Sequence, residues 1–154
     1  RIGLDWMNRG QQKQVLTPGQ NEKRYLAGAM DARTDEVTWV EAEKKDSMLF
    51  IMLLHELRKT YPQAKKIHVI LDNCRVHTSD ITKAVLKHLD GQIELHFLPP
   101  YCPQENRIER LWQDLHAGVT SNHMCKTMGK LMRNVRRFLT KRNNQIESTR
   151  KQAA

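Results

Sequence analysis

The sequence predicts an α/β fold. Short apolar segments rich in β-branched residues alternate along the chain with longer segments whose apolar residues recur at helical spacing. The order strand, helix, strand, helix, strand is typical of folds in which right-handed crossovers join parallel strands. A length of 154 residues favours a single domain with one core.

The first half of the chain predicts an arm, a hairpin and a helix. Residues 1–22 form the arm, because glycine and proline interrupt them and no period persists. Two segments at about 23–31 and 36–42 flank a polar turn and predict the strands of a β-hairpin. Asp46 is the predicted N-cap of a helix over residues 47–61, which is apolar on most sides and should pack against a sheet.

The segment after this helix predicts a strand, a helix and a second strand. Residues 65–73, KKIHVILDN, predict a buried strand that pairs in parallel. Ser79 is the predicted N-cap of a helix that ends near His88. Residues 92–98, QIELHFL, predict the next strand.

Two amphipathic helices are expected in the last third of the chain, from about Gln104 and from about Thr127. We expect the tail after Asn144 to be disordered. The predicted organisation is an arm (1–22), an α/β domain (23–125), a basic helix (126–144) and a disordered tail (145–154).

Charge is concentrated at the two ends of the chain. The net charge is +9, from 26 basic and 17 acidic residues. Residues 1–24 carry +3, residues 25–125 carry −2, and residues 126–154 carry +8. Such asymmetry indicates a polyanionic partner, with a merely solubilising tail as the alternative.

Several classes of protein are disfavoured by the sequence. No apolar run is long enough for a transmembrane helix, and the first residues do not resemble a secretory signal. Three cysteines without a CxxC pair predict reduced thiols rather than a disulfide framework. The pairs Cys74 with His77 and Cys102 with His96 match no zinc spacing. We therefore expect a cytoplasmic protein.

Two carboxylates are candidates for a metal-dependent active site. Asp72 ends an apolar strand, where reactive groups gather in open α/β sheets. Glu109 follows 37 positions later, near the start of a helix and at the edge of its apolar face. Two converging carboxylates repel unless a divalent cation joins them, and oxygen ligands suit Mg²⁺ or Mn²⁺. A turn role for Asp72 and a helix-dipole role for Glu109 are the alternatives.

The strings VILDNCRVHTSDI and LHFLPPYCPQENRIERLWQDLH resemble the catalytic domain of bacterial insertion-sequence transposases of the DDE superfamily, related to the mariner-like group. The family pattern has an apolar strand ending in Leu-Asp-Asn, a following His, then Leu-Pro-Pro-Tyr and Asn-x-Ile-Glu-x-x-Trp. The matching residues here are Asp72, Asn73, His77, Leu98, Pro99, Pro100, Tyr101, Asn106, Ile108, Glu109 and Trp112.

The resemblance implies an RNase H-like (retroviral integrase-like) mixed sheet flanked by helices. It implies Mg²⁺- or Mn²⁺-dependent cleavage of DNA at transposon ends and strand transfer into target DNA, in the bacterial nucleoid. Asp72 and Glu109 would be the catalytic metal ligands, with Asn73, His77 and Asn106 beside them. DNA would be the partner, bound by a possible homodimer, and the basic helix would contact its phosphates through Lys130, Arg133, Arg136, Arg137 and Lys141.

Two departures from the family pattern stand out. Arg107 occupies a position where the family usually has Pro. The family's first catalytic Asp lies on the first, central strand, upstream of the segment that here reads Trp6-x-x-x-Gly10. We therefore expect that strand and its Asp to lie upstream of residue 1 and the catalytic domain to be incomplete on that side, with Asp5 as a weaker alternative ligand. An inactive DNA-binding remnant and a small structure-specific nuclease remain rival functions.

Overall fold

The computed structural model describes residues 22–99, 106–121 and 123–153. The chain divides into two compact units, one spanning Arg24–Glu109 and one that includes Arg110–Ala154. The elements are strand β1 (Tyr25–Met30), strand β2 (Val37–Ala42), helix α1 (Ser47–Thr60), strand β3 (Ile67–Leu71), a 3-10 turn (Arg75–His77), helix α2 (Asp80–His88), strand β4 (Ile93–Phe97), helix α3 (Ile108–Leu115), one turn of π-helix (His116–Thr120) and helix α4 (Met128–Ala153).

The predicted hairpin is present, with slightly shorter strands. Strands β1 and β2 pair antiparallel, with Tyr25 opposite Ala42 and Met30 opposite Val37. The turn between them is organised by Asp31, whose Oδ1 accepts hydrogen bonds from the backbone N–H groups of Arg33 at 2.8 Å and Thr34 at 3.1 Å. A short acidic side chain that bonds its own turn is the local signal that favours this connection.

Helix α1 begins where the sequence predicts. The carboxylate of Asp46 accepts the backbone N–H of Leu49 at 3.2 Å, which satisfies one of the free donors of the first turn. The helix packs against both strands of the hairpin and against α2, so the expectation that it lies on a sheet is confirmed. At its other end, Arg58 donates to the carbonyl oxygens of Tyr61 at 3.2 Å and Ala64 at 2.8 Å, and so fixes the turn that leads into β3.

Strands β3 and β4 pair in parallel, as predicted, with Ile67 opposite Ile93 and Leu71 opposite Phe97. Helix α2 joins them, and its N-cap is Ser79, as predicted, whose Oγ accepts from the backbone N–H of Thr82 at 3.3 Å. The core between this pair and α1 is formed by Phe50, Leu54, Leu71 and Ile93.

The expectation that β3 is a buried strand is wrong for one of its faces. Successive side chains of a strand point to opposite faces. Ile67, Val69 and Leu71 therefore pack toward the core, whereas His68 and Ile70 are exposed, Ile70 at 63%. The two strand pairs form separate two-stranded sheets in the described part of the chain.

The C-terminal helices keep their predicted apolar faces but change their limits. Helix α3 begins at Ile108 rather than near Gln104, which lies outside the described residues. It ends at Leu115, where one turn of π-helix, His116–Thr120, takes over. Buried positions fall on the predicted faces of the two helices: Leu111 and Leu115 in α3, and Met132, Val135 and Leu139 in α4.

The expected disorder after Asn144 is wrong, because α4 continues to Ala153. Extending an existing helix avoids the cost of nucleating a new one. The last turns also gain an ion pair at helical spacing, between Lys151 Nζ and Glu147 Oε1 at 2.6 Å. Residues 128–144 and 145–153 therefore share one helix rather than forming a helix and a tail. No helix among residues 22–99, 106–121 and 123–153 combines the length and apolarity needed to cross a membrane.

Candidate active site

Asp72 lies immediately after β3, at the carboxyl end of the parallel pair. Its side chain is 61% exposed. Its Oδ1 accepts two hydrogen bonds, from the backbone N–H of Cys74 at 3.2 Å and from Nε2 of His77 at 3.1 Å. Within the described residues, no contact is found for Oδ2. The carboxylate is therefore held in place through one oxygen and offers the other to a ligand.

Asn73 fixes the backbone beside Asp72. Its Nδ2 donates to the carbonyl oxygen of Leu98 at 2.7 Å. The backbone N–H of Leu98 donates in turn to the carbonyl oxygen of Leu71 at 2.9 Å. These two bonds join the end of β3 to the segment that follows β4. Asn73, predicted only as a neighbour of the site, thus ties the two motifs together.

His77 is held in a largely apolar setting beneath Asp72. Its side chain is 17% exposed, and its ring lies edge-on to the ring of Phe50 with the centroids 4.3 Å apart. Burial lowers the pKa of His77, and this outweighs the upward effect of Asp72, with Lys45 adding to the decrease. A neutral imidazole donates from one nitrogen only, so we assign the proton to Nε2, which faces the carboxylate. Its Nδ1 is then a buried acceptor with no partner in the described part of the chain.

Asp72, Cys74 and His77 could together hold a metal ion. Each offers one ligand atom, and these atoms lie within 4.8 Å of one another. The carboxylate is the group that suits Mg²⁺, whereas the thiol and the imidazole suit softer metals. The sequence does not indicate Cys74 as a ligand, because its spacing from His77 matches no zinc motif.

Glu109 lies in the first turn of α3 and is exposed. Its backbone N–H donates to the carbonyl oxygen of Asn106 at 3.0 Å, so Asn106 stands just before the helix and not inside it. That Asp72 and Glu109 share an ion stays a prediction. Pro100, Tyr101, Cys102, Asp5 and the Trp6-x-x-x-Gly10 segment lie outside the described residues.

Arg107 has a contact that the sequence did not predict. Its guanidinium donates to Oδ1 of Asp35 at 2.7 Å and to the carbonyl oxygen of Ala32 at 3.2 Å. The residue that departs from the family pattern therefore connects the start of α3 to the turn of the β1–β2 hairpin, more than 70 positions earlier. No local sequence pattern predicts a contact between residues so far apart in the chain.

The five cations predicted to contact DNA are exposed on α4. Four of them fall within about 80° of the helix circumference, and Arg136 lies about 60° beyond that arc. The arc is opposite the buried positions Met132, Val135 and Leu139. We call these four residues the basic stripe: Lys130, Arg133, Arg137 and Lys141.

Comparisons with known proteins identify the family of this chain. A family model described as DDE superfamily endonuclease matches residues 3–132. The "Insertion element IS630 uncharacterized 39 kDa protein" of Shigella sonnei is 48% identical over 139 residues, which cover 90% of this chain and 40% of that protein. The chain therefore spans well under half the length of this curated relative.

Two solved structures share the fold at low sequence identity. The Mos1 transposase paired-end complex with left transposon end has a TM-score of 0.63 and 14% identity, covering 91% of this chain and 43% of that one. The simian T-cell lymphotropic virus intasome in complex with PP2A regulatory subunit B56 gamma has a TM-score of 0.55 and 14% identity, covering 84% and 51%. The predicted RNase H-like α/β fold is confirmed.

Proposed function

We propose, because this chain belongs to the DDE superfamily endonucleases, that it acts as the catalytic part of an insertion-sequence transposase. In this reaction water attacks a phosphodiester at a transposon end, the P–O bond to the 3′ oxygen breaks, and a free 3′ hydroxyl is released. That hydroxyl then attacks a phosphodiester of the target DNA, whose own P–O bond to the 3′ oxygen breaks and releases a target 3′ hydroxyl, with no covalent protein intermediate. The main observation in support is the exposed carboxylate of Asp72, which two hydrogen bonds to Oδ1 hold in place at the end of β3.

The proposed metal ligands are Asp72 and Glu109, and the donor set fits Mg²⁺ or Mn²⁺ because both residues offer exposed carboxylate oxygens. A bound divalent ion would activate the attacking oxygen and stabilise the leaving one. The protein's own residues hold the carboxylate of Asp72 in position. His77 and the backbone N–H of Cys74 hold Oδ1 of Asp72, and Asn73 holds the chain beside it.

DNA is the proposed partner. The basic stripe presents four cations on one face of α4, at the spacing of successive helical turns. Lysine and arginine contacts to phosphates bring affinity without reading the base sequence. The stripe would therefore hold duplex DNA of any sequence, and pairing of two copies on that DNA remains part of the proposal.

The test compares the Mn²⁺ binding of variants at the two carboxylates with that of a matched control variant. Asp72→Asn and Glu109→Gln should each weaken Mn²⁺ binding, followed by electron paramagnetic resonance, whereas Asp80→Asn should leave it unchanged. Asp80 is a suitable control because its carboxylate is fully exposed and paired only with Lys83 in the described part of the chain. Equal Mn²⁺ binding by all four proteins would contradict the assignment.

A nicking assay on a plasmid that carries the transposon ends then distinguishes the candidate functions. Mg²⁺-dependent nicking that both carboxylate variants lose supports the endonuclease. The basic stripe favours a second candidate, a DNA-binding protein without catalysis. Duplex binding without nicking, together with Mn²⁺ binding that neither substitution changes, would favour that candidate.

A further inference from the structure

A second cluster of metal-ligating side chains lies on the exposed face of the β3–β4 pair. The parallel register places His68 opposite Glu94 and Ile70 opposite His96. Residues two apart on a strand share a face, so Glu94 and His96 lie on the same side as His68. All three side chains are exposed, with 45–58% of their surface accessible.

The three ligand groups already have nearly the separation that a tetrahedral ion requires. His68 Nδ1 lies 2.9 Å from His96 Nε2 and 3.8 Å from Glu94 Oε2, and His96 Nε2 lies 3.9 Å from Glu94 Oε1. Zinc bonds of about 2.0–2.1 Å in a tetrahedron place neighbouring ligand atoms about 3.3–3.4 Å apart. With one ligand atom from each residue, the three atoms lie within 4.8 Å of one another, so shifts of up to about 1.5 Å in these exposed side chains would satisfy that geometry.

The charge state of the cluster also suits a cation. The hydrogen bond from Lys66, and then its charge, lower the pKa of Glu94, so this side chain is a carboxylate at neutral pH. Two ring nitrogens 2.9 Å apart have room for one proton between them, so one of them presents a lone pair, and the other does so when its imidazole carries the proton on its second nitrogen. Lys66 Nζ holds Oε2 of Glu94 at 3.0 Å and leaves Oε1 for a metal.

We propose that His68, Glu94 and His96 form a binding site for Zn²⁺ or a similar divalent transition metal, with water as the fourth ligand. Two imidazoles and one carboxylate are the ligands of known open zinc sites, whereas Mg²⁺ prefers oxygen ligands alone. The site is distinct from Asp72, which follows His68 by four positions, or about 13 Å along an extended strand. A bound ion would join β3 directly to β4, the two strands whose ends are linked through Asn73 and Leu98.

Calorimetric titration of the protein with Zn²⁺ tests the site. Wild type should bind one equivalent at this site, and His68→Gln and His96→Gln should each weaken that binding by tenfold or more. His88→Gln is the matched control, because His88 is exposed at the end of α2 and is not one of the three clustered side chains. Far-UV circular dichroism checks that each variant is folded. Wild-type affinity in both His68→Gln and His96→Gln, or no binding by wild type, would overturn the proposal.

Co²⁺ absorption distinguishes this cluster from the group at Asp72, Cys74 and His77. A cobalt ion held by imidazole and carboxylate shows visible d–d bands without the near-ultraviolet band of a thiolate ligand. We expect the d–d bands to survive Cys74→Ser and to disappear in His96→Gln. A thiolate band that Cys74→Ser removes, with no change in His96→Gln, would assign the metal to Cys74 instead. This readout requires neither DNA nor nuclease activity, so failure of the proposed function would leave it intact.

Discussion

Neutralising the basic stripe should remove a defined part of the salt dependence of DNA binding. The change is replacement of Lys130, Arg133, Arg137 and Lys141 by Gln, which has a similar helix propensity and should leave α4 folded. Each cation that neutralises one phosphate contributes about −0.9 to the slope of log K against log salt. Four such contacts contribute about −3.6, so between 50 and 200 mM salt they account for a roughly 150-fold loss of affinity.

The assay is fluorescence anisotropy with a labelled duplex, measured at several salt concentrations. A control with the same loss of charge replaces four exposed lysines of the other unit by Gln: Lys44, Lys59, Lys65 and Lys87. The stripe variant should lose most of the wild-type slope on any duplex sequence, and the control should keep it. An equal decrease in both variants would show that net charge alone attracts the DNA. An unchanged slope in the stripe variant would place the DNA elsewhere on the protein.

Three further predictions concern stability, measured by urea denaturation. Leu54→Ala should reduce the free energy of unfolding by about 2–5 kcal/mol, because Leu54 is fully buried between α1 and the β3–β4 pair. Asp46→Ala should cost about 1 kcal/mol through loss of the N-cap of α1, and Asp46→Asn should cost much less. Burial would raise the pKa of Asp31, but hydrogen bonds from Arg33, Thr34 and Tyr61 lower it overall. Its contribution to stability is therefore present above about pH 4 and lost as the pH falls through the lowered value, and Asp31→Asn should flatten that dependence.

The features that the sequence predicts well depend on contacts between residues a few positions apart. The N-caps Asp46 and Ser79 each bond a backbone N–H three residues ahead, so a single residue type in the right place is sufficient. The hairpin likewise follows from one turn that Asp31 organises. The position of Asp72 at a strand end could be predicted for the same reason, because the apolar run of β3 precedes it directly.

Some features that the sequence missed depend on partners far away in the chain. Others were missed because composition alone predicts a different structure. Nothing local to Arg107 indicates its bonds to Ala32 and Asp35. The polar composition after Asn144 predicts a disordered tail, although a helix already formed upstream extends through these residues at little cost. The run KKIHVILDN predicts a buried strand, whereas one face of β3 is exposed and the parallel register places His68 beside His96 on that face.

The final prediction separates the contribution of His77 to the site from its contribution to stability. His77 donates to Asp72 while its buried Nδ1 has no partner in the described residues, and an unpaired buried acceptor costs about 1–3 kcal/mol. His77→Leu removes that acceptor and keeps an apolar contact with Phe50, so the free energy of unfolding should stay the same or rise.

The same substitution removes one of the two hydrogen bonds that Oδ1 of Asp72 accepts. Loss of such a supporting bond weakens metal binding by about 10–100-fold. His77→Gln keeps a donor and should restore part of the Mn²⁺ affinity. A His77→Leu protein that is less stable by more than 1 kcal/mol, yet binds Mn²⁺ as wild type does, would show that His77 supports the fold and not the carboxylate.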